Sequence, residues 1–288
     1  MSKLVIHPLG PGIGAEIEGL ESCNPLDDDT IKNLRSAFDE RSVLVFRNLD
    51  IDEAFQRYLV FTLIGEAVSA EKQTPTSFVS NKKENAAAPY GRLLFHCDNM
   101  WARTPQRIIS LYGLHVVSPT APTQFVGMAR AWDTVPEKLR ARVEGLEARH
   151  GFGDDGYYPN RGGDADVIDS KMPEARSTVR PVGFRHPRTG KRLLYVSQQS
   201  TLGIVGLPPE ENEALLQELF AHLYKPEFIL EHDWREGDLV VWDNIAVQHG
   251  RGTVSLQGSE RTLRKIFGPI NMDAAEMVKP AFSKVAKA

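Results

Sequence analysis

Leu93-Leu94-Phe95-His96-Cys97-Asp98 is the stretch that decides how this chain is to be read. An apolar run ends there in two metal-capable side chains, His96 and Asp98, separated by a single residue. On a strand, side chains alternate, so both would point to one face and Cys97 to the other. An imidazole and a carboxylate on one face form most of the two-histidine, one-carboxylate set that holds non-haem Fe(II) and leaves coordination positions open. A His-x-Asp pair is weak by itself, and the reading needs a second histidine.

The chain has 288 residues, of which 41% are hydrophobic and 25% charged, the composition of a globular protein able to bury a substantial core. Its net charge of −4, with both signs mixed along the chain, gives no electrostatic footprint for nucleic acid or an anionic membrane. A small-molecule substrate is the expectation. No apolar run approaches membrane-spanning length, and the start Met1-Ser-Lys-Leu-Val-Ile-His7 has no signal-like pattern, so a cytoplasmic location is expected. Two cysteines far apart, Cys23 and Cys97, do not suggest a disulfide framework.

Outward from residues 93–98, the pattern is one of many strands. Residues 4–6 and 13–17 flank Gly10-Pro11-Gly12 as an opening hairpin, and Ser42–Phe46 reads as a strand buried on both faces. Helices are expected after Asp27–Asp29, from Asp52 to about Leu63, after Val135-Pro136, and most clearly after Pro208-Pro209, where Leu215, Leu216, Leu219, Phe220 and Leu223 form an apolar stripe. Further strands are expected at Arg107–His115, Gln124–Met128, Val179–Phe184, Leu193–Ser197, Phe228–Leu230 and Leu239–Trp242. Polar stretches at 66–91 and 151–178 read as loop insertions; the first is a candidate lid, and the second holds Tyr157 and Tyr158. Strands without regular βαβ alternation predict an antiparallel β core with helices packed outside it. No composition break marks a linker, so one domain over residues 1–288 is expected.

His249 is the best candidate for the missing ligand. It follows Trp242-Asp243-Asn244 and precedes Gly250-Arg251-Gly252, where the buried strand is expected to have ended in a Gly-rich turn. His7, His115, His150, His186, His222 and His232 fit ordinary packing or surface roles better. Beyond His249, the strand Glu260–Phe267 separates Arg261, Leu263 and Lys265 on one face from Thr262, Arg264 and Ile266 on the other. A buried guanidinium there would require an anion, and a carboxylate fits its planar fork.

Together these residues resemble the Fe(II)- and 2-oxoglutarate-dependent dioxygenases of the taurine dioxygenase and 2,4-dichlorophenoxyacetate dioxygenase type. The resemblance spans nearly the whole chain: Gly-Ile-Gly-Ala-Glu-Ile at 12–17, Ser-Val-Leu-Val-Phe-Arg at 42–47, His96-Cys97-Asp98, His-Pro-Arg-Thr-Gly at 186–190, Trp234-Arg235-Glu236-Gly237-Asp238, Trp242-Asp243-Asn244, His249 and the Arg-rich strand. It implies a double-stranded β-helix, a jelly-roll or cupin-like core with flanking helices, that holds iron by His96, Asp98 and His249. It also implies 2-oxoglutarate and O2 as cosubstrates, with Arg261 and Thr123 on the distal carboxylate of the former and Arg264 as the rival for the arginine role. Members often associate, which allows a homo-oligomer, though the sequence does not fix the oligomeric state.

Departures bear on the substrate. Lys265 stands where the sulfonate-binding members carry a second arginine, and Ala67–Glu71 lacks their histidine, which makes taurine a poor candidate and leaves a small anion held by Lys265 or Arg264. Phe95, Asn99, Met100 and Trp101 flank the ligands and are the candidate substrate wall, with core packing an equally good account of them. The expected reaction is hydroxylation of an unactivated C–H bond with release of succinate and CO2. Two other classes would use the same donors: a metal- and ligand-binding β-helix protein without turnover, and a zinc hydrolase, for which Asp243 would be the only nearby general base.

Overall fold

The computed structural model describes residues 4–22, 25–68, 75–152, 170–171, 176–269 and 281–282. The chain opens with a hairpin of β1 (Val5–Gly10) and β2 (Ile13–Glu18), whose turn places Gly12 at a φ of 76°. Asp27 caps α1 (Asp28–Arg41) by accepting the Thr30 N–H at 2.9 Å, and Asp28 and Asp29 complement the helix dipole. After β3 (Val43–Phe46), Asp52 caps α2 (Glu53–Leu63) in the same manner through the Phe55 N–H at 2.8 Å. Four strands follow, β4 (Ser77–Ser80), β5 (Gly91–His96), β6 (Ile108–Val116) and β7 (Thr123–Gly127), then two short helices, α3 (Met128–Asp133) and α4 (Glu137–Val143). Next come β8 (Glu147–Phe152), β9 (Ser170–Lys171), β10 (Arg176–Pro181), β11 (Gly183–Arg185), β12 (Arg192–Leu194) and β13 (Thr201–Ile204). Pro209 opens α5 (Pro209–Leu223), and the chain continues through β14 (Ile229–His232), β15 (Leu239–Asp243), β16 (Val247–Val254), β17 (Arg261–Phe267) and β18 (Ala281–Phe282).

Two sheets carry the architecture. One has seven strands in the order β1-β2-β3-β15-β6-β17-β4, antiparallel except for the β2-β3 pair; the other has four, β14-β7-β16-β5, all antiparallel. A three-stranded sheet, β10-β8-β13, lies beside them, and β11-β12 and β18-β9 are two-stranded pairs.

The double apolarity of the central strands has a simple cause. On β15, Val240 and Trp242 join the larger core with Phe125, Val247 and Leu263, whereas Leu239 and Val241 join a second core under α1 and α2 with Leu34, Phe38 and Leu59. Val43 and Val45 of β3 likewise belong to the first core, and Leu44 and Phe46 to the second. A strand covered on both faces must be apolar at successive positions.

Several expectations require correction. Residues 66–91 are not all loop: β4 lies within them and pairs with β17 at the edge of the large sheet. His249 does not follow a finished strand; it lies inside β16, because the chain re-enters a strand at Val247 after the Asp243–Ala246 turn. Met128 is helical, and α3 went unforeseen because its six residues are too few to show a periodicity. Arg176–Pro181 pairs with β8, leaving only β11 and β12 for the expected hairpin around residues 186–190. Tyr157 and Tyr158 fall outside the described residues. No helix among the described residues is long and apolar enough to cross a membrane.

Gly113 of β6 exchanges hydrogen bonds with the turn before β15: its N–H donates to Asp238 at 2.9 Å, and its carbonyl accepts from Gly237 at 2.9 Å. A Cβ there would lie 2.5 Å from the Arg235 carbonyl oxygen, which is backbone and cannot swing away. Gly113→Ala is therefore expected to destabilise the fold by about 1–3 kcal/mol, read as a lower urea midpoint at unchanged slope; an unmoved midpoint would show the turn to be adaptable. A second expectation concerns pH. His150 is fully buried against Tyr195 and Thr201, and burial, reinforced by the charge of Arg180, pushes its imidazole down to about 3. The unfolded chain takes that proton at about 6.5 and the folded chain does not, so the contribution is intact above about 6.5 and is lost as pH falls toward about 3. Between about pH 7.5 and about pH 5, wild type should lose about 2 kcal/mol more stability than His150→Gln by urea unfolding.

Candidate metal and cosubstrate site

His96 and His249 are cross-strand partners of β5 and β16, and their ring centroids lie 4.2 Å apart. Trp242 backs His249 at 4.9 Å between centroids and is itself held edge-on by Phe125. Asp98 joins them from outside the ladder. β5 ends at His96, and Asp98 sits in the following turn, so the turn rather than strand alternation brings the carboxylate back over the imidazole. Asp98 Oδ1 lies 3.2 Å from His96 Nε2 and 3.7 Å from His249 Nε2. Three donor atoms of these residues fall within 4.8 Å of one another, the one such His/Asp/His group among the described residues.

Donors bound to one first-row divalent ion at about 2.1 Å, at right angles, stand roughly 3 Å apart, and the observed separations fit that geometry. His96 Nδ1 is 2.8 Å from the Leu94 carbonyl, a contact that orients the ring and leaves Nε2 as the atom facing Asp98. Burial pushes the Asp98 carboxyl up, but the Lys265 charge, the His96 hydrogen bond and the two imidazoles outweigh it and hold it well below the usual range. Burial, followed by the charges on His96 and Lys265, pushes the His249 imidazole well below its own. Both groups thus stand in the protonation states a metal requires, anionic carboxylate and neutral imidazole.

The turn holding Asp98 is secured by a residue the sequence reading passed over. Asn244, fully buried, accepts the Asp98 N–H at 3.0 Å and donates to the Asp98 carbonyl at 2.9 Å and the Gln106 carbonyl at 2.8 Å. Its place in Trp242-Asp243-Asn244, just before β16, was the available signal. The outer oxygen of Asp98 accepts from Lys265 Nζ.

Along β7 and β16 from the donors lies a second polar group. Thr123 Oγ1 accepts from Trp234 Nε1 at 2.9 Å, which leaves the hydroxyl proton free for another acceptor. Arg261, 3% exposed, donates to the Ala121 carbonyl at 2.7 Å and has no carboxylate partner among the described residues. Arg264 is on the opposite face of β17. Its guanidinium donates to Gln56 Oε1 at 2.7 Å and the Ile51 carbonyl at 3.0 Å and lies over the Tyr112 ring, so it braces the α2 side and is not among the donors. The bulge opposite Thr262 and Leu263 falls on β6, and β17 keeps its alternation.

The remaining candidates separate. Lys265 reaches the site through Asp98. Asn99 is in the Asp98 turn at a φ of 57°; Met100 is fully buried in the core, as is nearly all of Trp101. Phe95, adjacent to His96 on a strand, faces away from the donors and stacks on Tyr224 at 4.7 Å, so packing accounts for it. Cys97 is a packed thiol near the Val247 carbonyl. Asp243 is occupied by His186, Arg188 and the N–H groups of Ile245 and Ala246, which removes the general base a hydrolase would need. His232 also has a buried carboxylate neighbour, Asp238 at 3.3 Å, but no third donor among the described residues.

Residues 6–267 match the family described as Taurine catabolism dioxygenase TauD, TfdA family. The alpha-ketoglutarate-dependent 2,4-dichlorophenoxyacetate dioxygenase of Cupriavidus pinatubonensis is 27% identical over 285 residues, covering 91% of this chain and 96% of that one. Pentalenolactone F synthase of Streptomyces avermitilis is 27% identical over 301 residues, covering 94% and 95%. Among solved structures, a taurine dioxygenase from Burkholderia xenovorans superposes with a TM-score of 0.73 at 24% identity, covering 98% of this chain and 97% of that one. AAD-2 in complex with Mn(II) and N-oxalylglycine gives 0.73 at 23%, covering 94% and 99%. The chain belongs to the TauD/TfdA family and is an alpha-ketoglutarate-dependent, that is 2-oxoglutarate-dependent, dioxygenase.

Proposed function

We propose that this enzyme hydroxylates an unactivated C–H bond of a small, anionic organic substrate, holding Fe(II) with His96, Asp98 and His249 and the distal carboxylate of 2-oxoglutarate with Arg261 and Thr123. The convergence of the three donors beside a buried guanidinium with no carboxylate partner among the described residues carries this reading. The seven- and four-stranded sheets, which share one core, support a double-stranded β-helix formed by one domain, since the large sheet takes strands from β1 through to β17. When bound, Fe(II) supplies the O2 chemistry that converts 2-oxoglutarate to succinate and CO2 and delivers the second oxygen atom to the substrate.

The protein's own part is geometric and electrostatic. Asn244 fixes the backbone on both sides of the Asp98 amide, and Lys265 keeps one carboxylate oxygen away from the metal side. A carboxylate in this position occupies the place a halide would need, which favours hydroxylation over halogenation. Trp234 orients Thr123 as a donor, and the apolar surroundings of Phe125, Trp242 and Leu263 exclude water from the reacting centre. Lys265, bonded to Asp98 through one of its three donors, has others for an anionic substrate, consistent with relatives named for 2,4-dichlorophenoxyacetate and (S)-phenoxypropionate. A buried free thiol, Cys97, suits a reducing compartment such as the cytoplasm.

Mixed anaerobically with Fe(II) and 2-oxoglutarate, the protein should develop the weak visible metal-to-ligand charge-transfer band, and His96→Ala should abolish it. An undiminished band in that variant would sink the assignment of the ligands. Asn244→Ala keeps all three donors but frees the Asp98 turn, and should weaken Mn(II) binding by about tenfold in calorimetry; unchanged affinity would mean the turn needs no clamp. For the substrate, small organic acids should stimulate succinate release and their neutral amides should not; equal stimulation would remove the anionic requirement.

A further inference from the structure

Two guanidinium groups are buried at this end of the site, and the reading above uses one. Arg251, on β16, is 4% exposed. Its terminal nitrogens donate to neutral acceptors only, the carbonyls of Ala88 at 2.9 Å, Tyr90 at 3.0 Å and Gly91 at 3.1 Å. Its Nε is buried with no hydrogen-bond partner, and no carboxylate pairs with it among the described residues. Carbonyl dipoles satisfy N–H groups but cancel no charge, and a buried, uncompensated cation is costly unless an anion arrives.

Strand geometry says where that anion would be. His249 and Arg251 are two residues apart on β16 and share its inner face. The register pairs Arg251 with Thr123 and His249 with Phe125, which makes Arg251 the cross-strand neighbour of the proposed cosubstrate threonine. The step from His249 to Arg251 is about 7 Å along the strand, comparable with the span from one end of a five-carbon diacid to the other. Arg261 reaches over from the other sheet to the carbonyl of Ala121, at 2.7 Å, two residues before the Thr123 that Arg251 pairs with. Two like charges are thus held near one another in a dry interior, around the hydroxyl donor of Thr123.

We propose that Arg251 is a second cosubstrate-binding residue, whose free Nε joins Arg261 and Thr123 on the distal carboxylate of 2-oxoglutarate; this rests on the cosubstrate reading given above. The anion compensates a pair of buried cations instead of one. Because the other nitrogens of Arg251 hold the carbonyls at 88–91, the same side chain ties the occupied subsite to the start of β5, which ends in His96.

The test compares two ligands on Mn(II)-loaded protein by isothermal titration calorimetry: 2-oxoglutarate, and 2-oxopentanoate, which keeps the chelating head and lacks the distal carboxylate. Arg251→Gln should weaken 2-oxoglutarate by about tenfold or more while leaving 2-oxopentanoate within about twofold. Arg251→Lys, which retains charge but not the fork, should show a smaller loss with the same selectivity, and it decides the matter if the glutamine variant does not fold. Equal losses on both ligands would make Arg251 a strut for residues 88–91 and overturn the proposal, as would no loss on 2-oxoglutarate. Wild type that binds the two ligands equally would instead overturn the distal-carboxylate subsite itself, a result visible without any variant.

Discussion

The side-chain amide of Asn244 is the contact on which the site depends. Asp98 is not on a strand, and nothing in the sheet ladder would keep its carboxylate over the two imidazoles. By bonding the N–H and carbonyl of Asp98 together with the Gln106 carbonyl, Asn244 joins the turn after β5 to the segment that leads into β16. The donors therefore come from two strands and a turn that are fixed to one another by a fully buried group. Such a group is worth keeping only when every bond is made, since a buried amide left unpaired is destabilising.

Charge is arranged around this frame with little redundancy. Asp98 is the anion at the donors, with Lys265 on its outer oxygen. Farther along, Arg251 and Arg261 donate to backbone carbonyls, and no carboxylate pairs with either among the described residues. The interior is thus divided into an end that awaits a cation and an end that awaits an anion. A metal ion at the first end, chelated by a ligand that carries a carboxylate to the second, would satisfy both, in a core otherwise built from Val, Leu, Phe and Trp.

Much of this was legible in the sequence because period and capping are local. Asp27 and Asp52 announced their helices, the Pro208-Pro209 start announced α5, and the continuous apolar runs of β3 and β15 announced strands covered on both faces. His96, Asp98 and His249 could be named as a group from their order and surroundings, though the physical route differed: a turn carries Asp98, and β16 runs through His249 rather than ending before it. Period two on β17 correctly separated Lys265 from Arg264. What stayed hidden was long-range. β4 is four residues whose partner lies nearly two hundred positions away, and the roles of Asn244, Trp234 and Arg251 exist only through contacts made across the sheets.

Asn81 has a part in this that bears on inheritance. Its amide donates to the carbonyls of Ser255 and Ser259, and its carbonyl accepts the Arg261 N–H, so both ends of the β16–β17 connection are tied to one side chain. A one-residue insertion or deletion that propagated into β17 would exchange its faces, turning Arg264 toward Asp98 and Lys265 toward α2. With the strand's first amide anchored, length changes in this connection must be absorbed between positions 255 and 259. Lineages descending from this sequence can accordingly vary the size of that turn while the polarity of the pocket is transmitted unaltered.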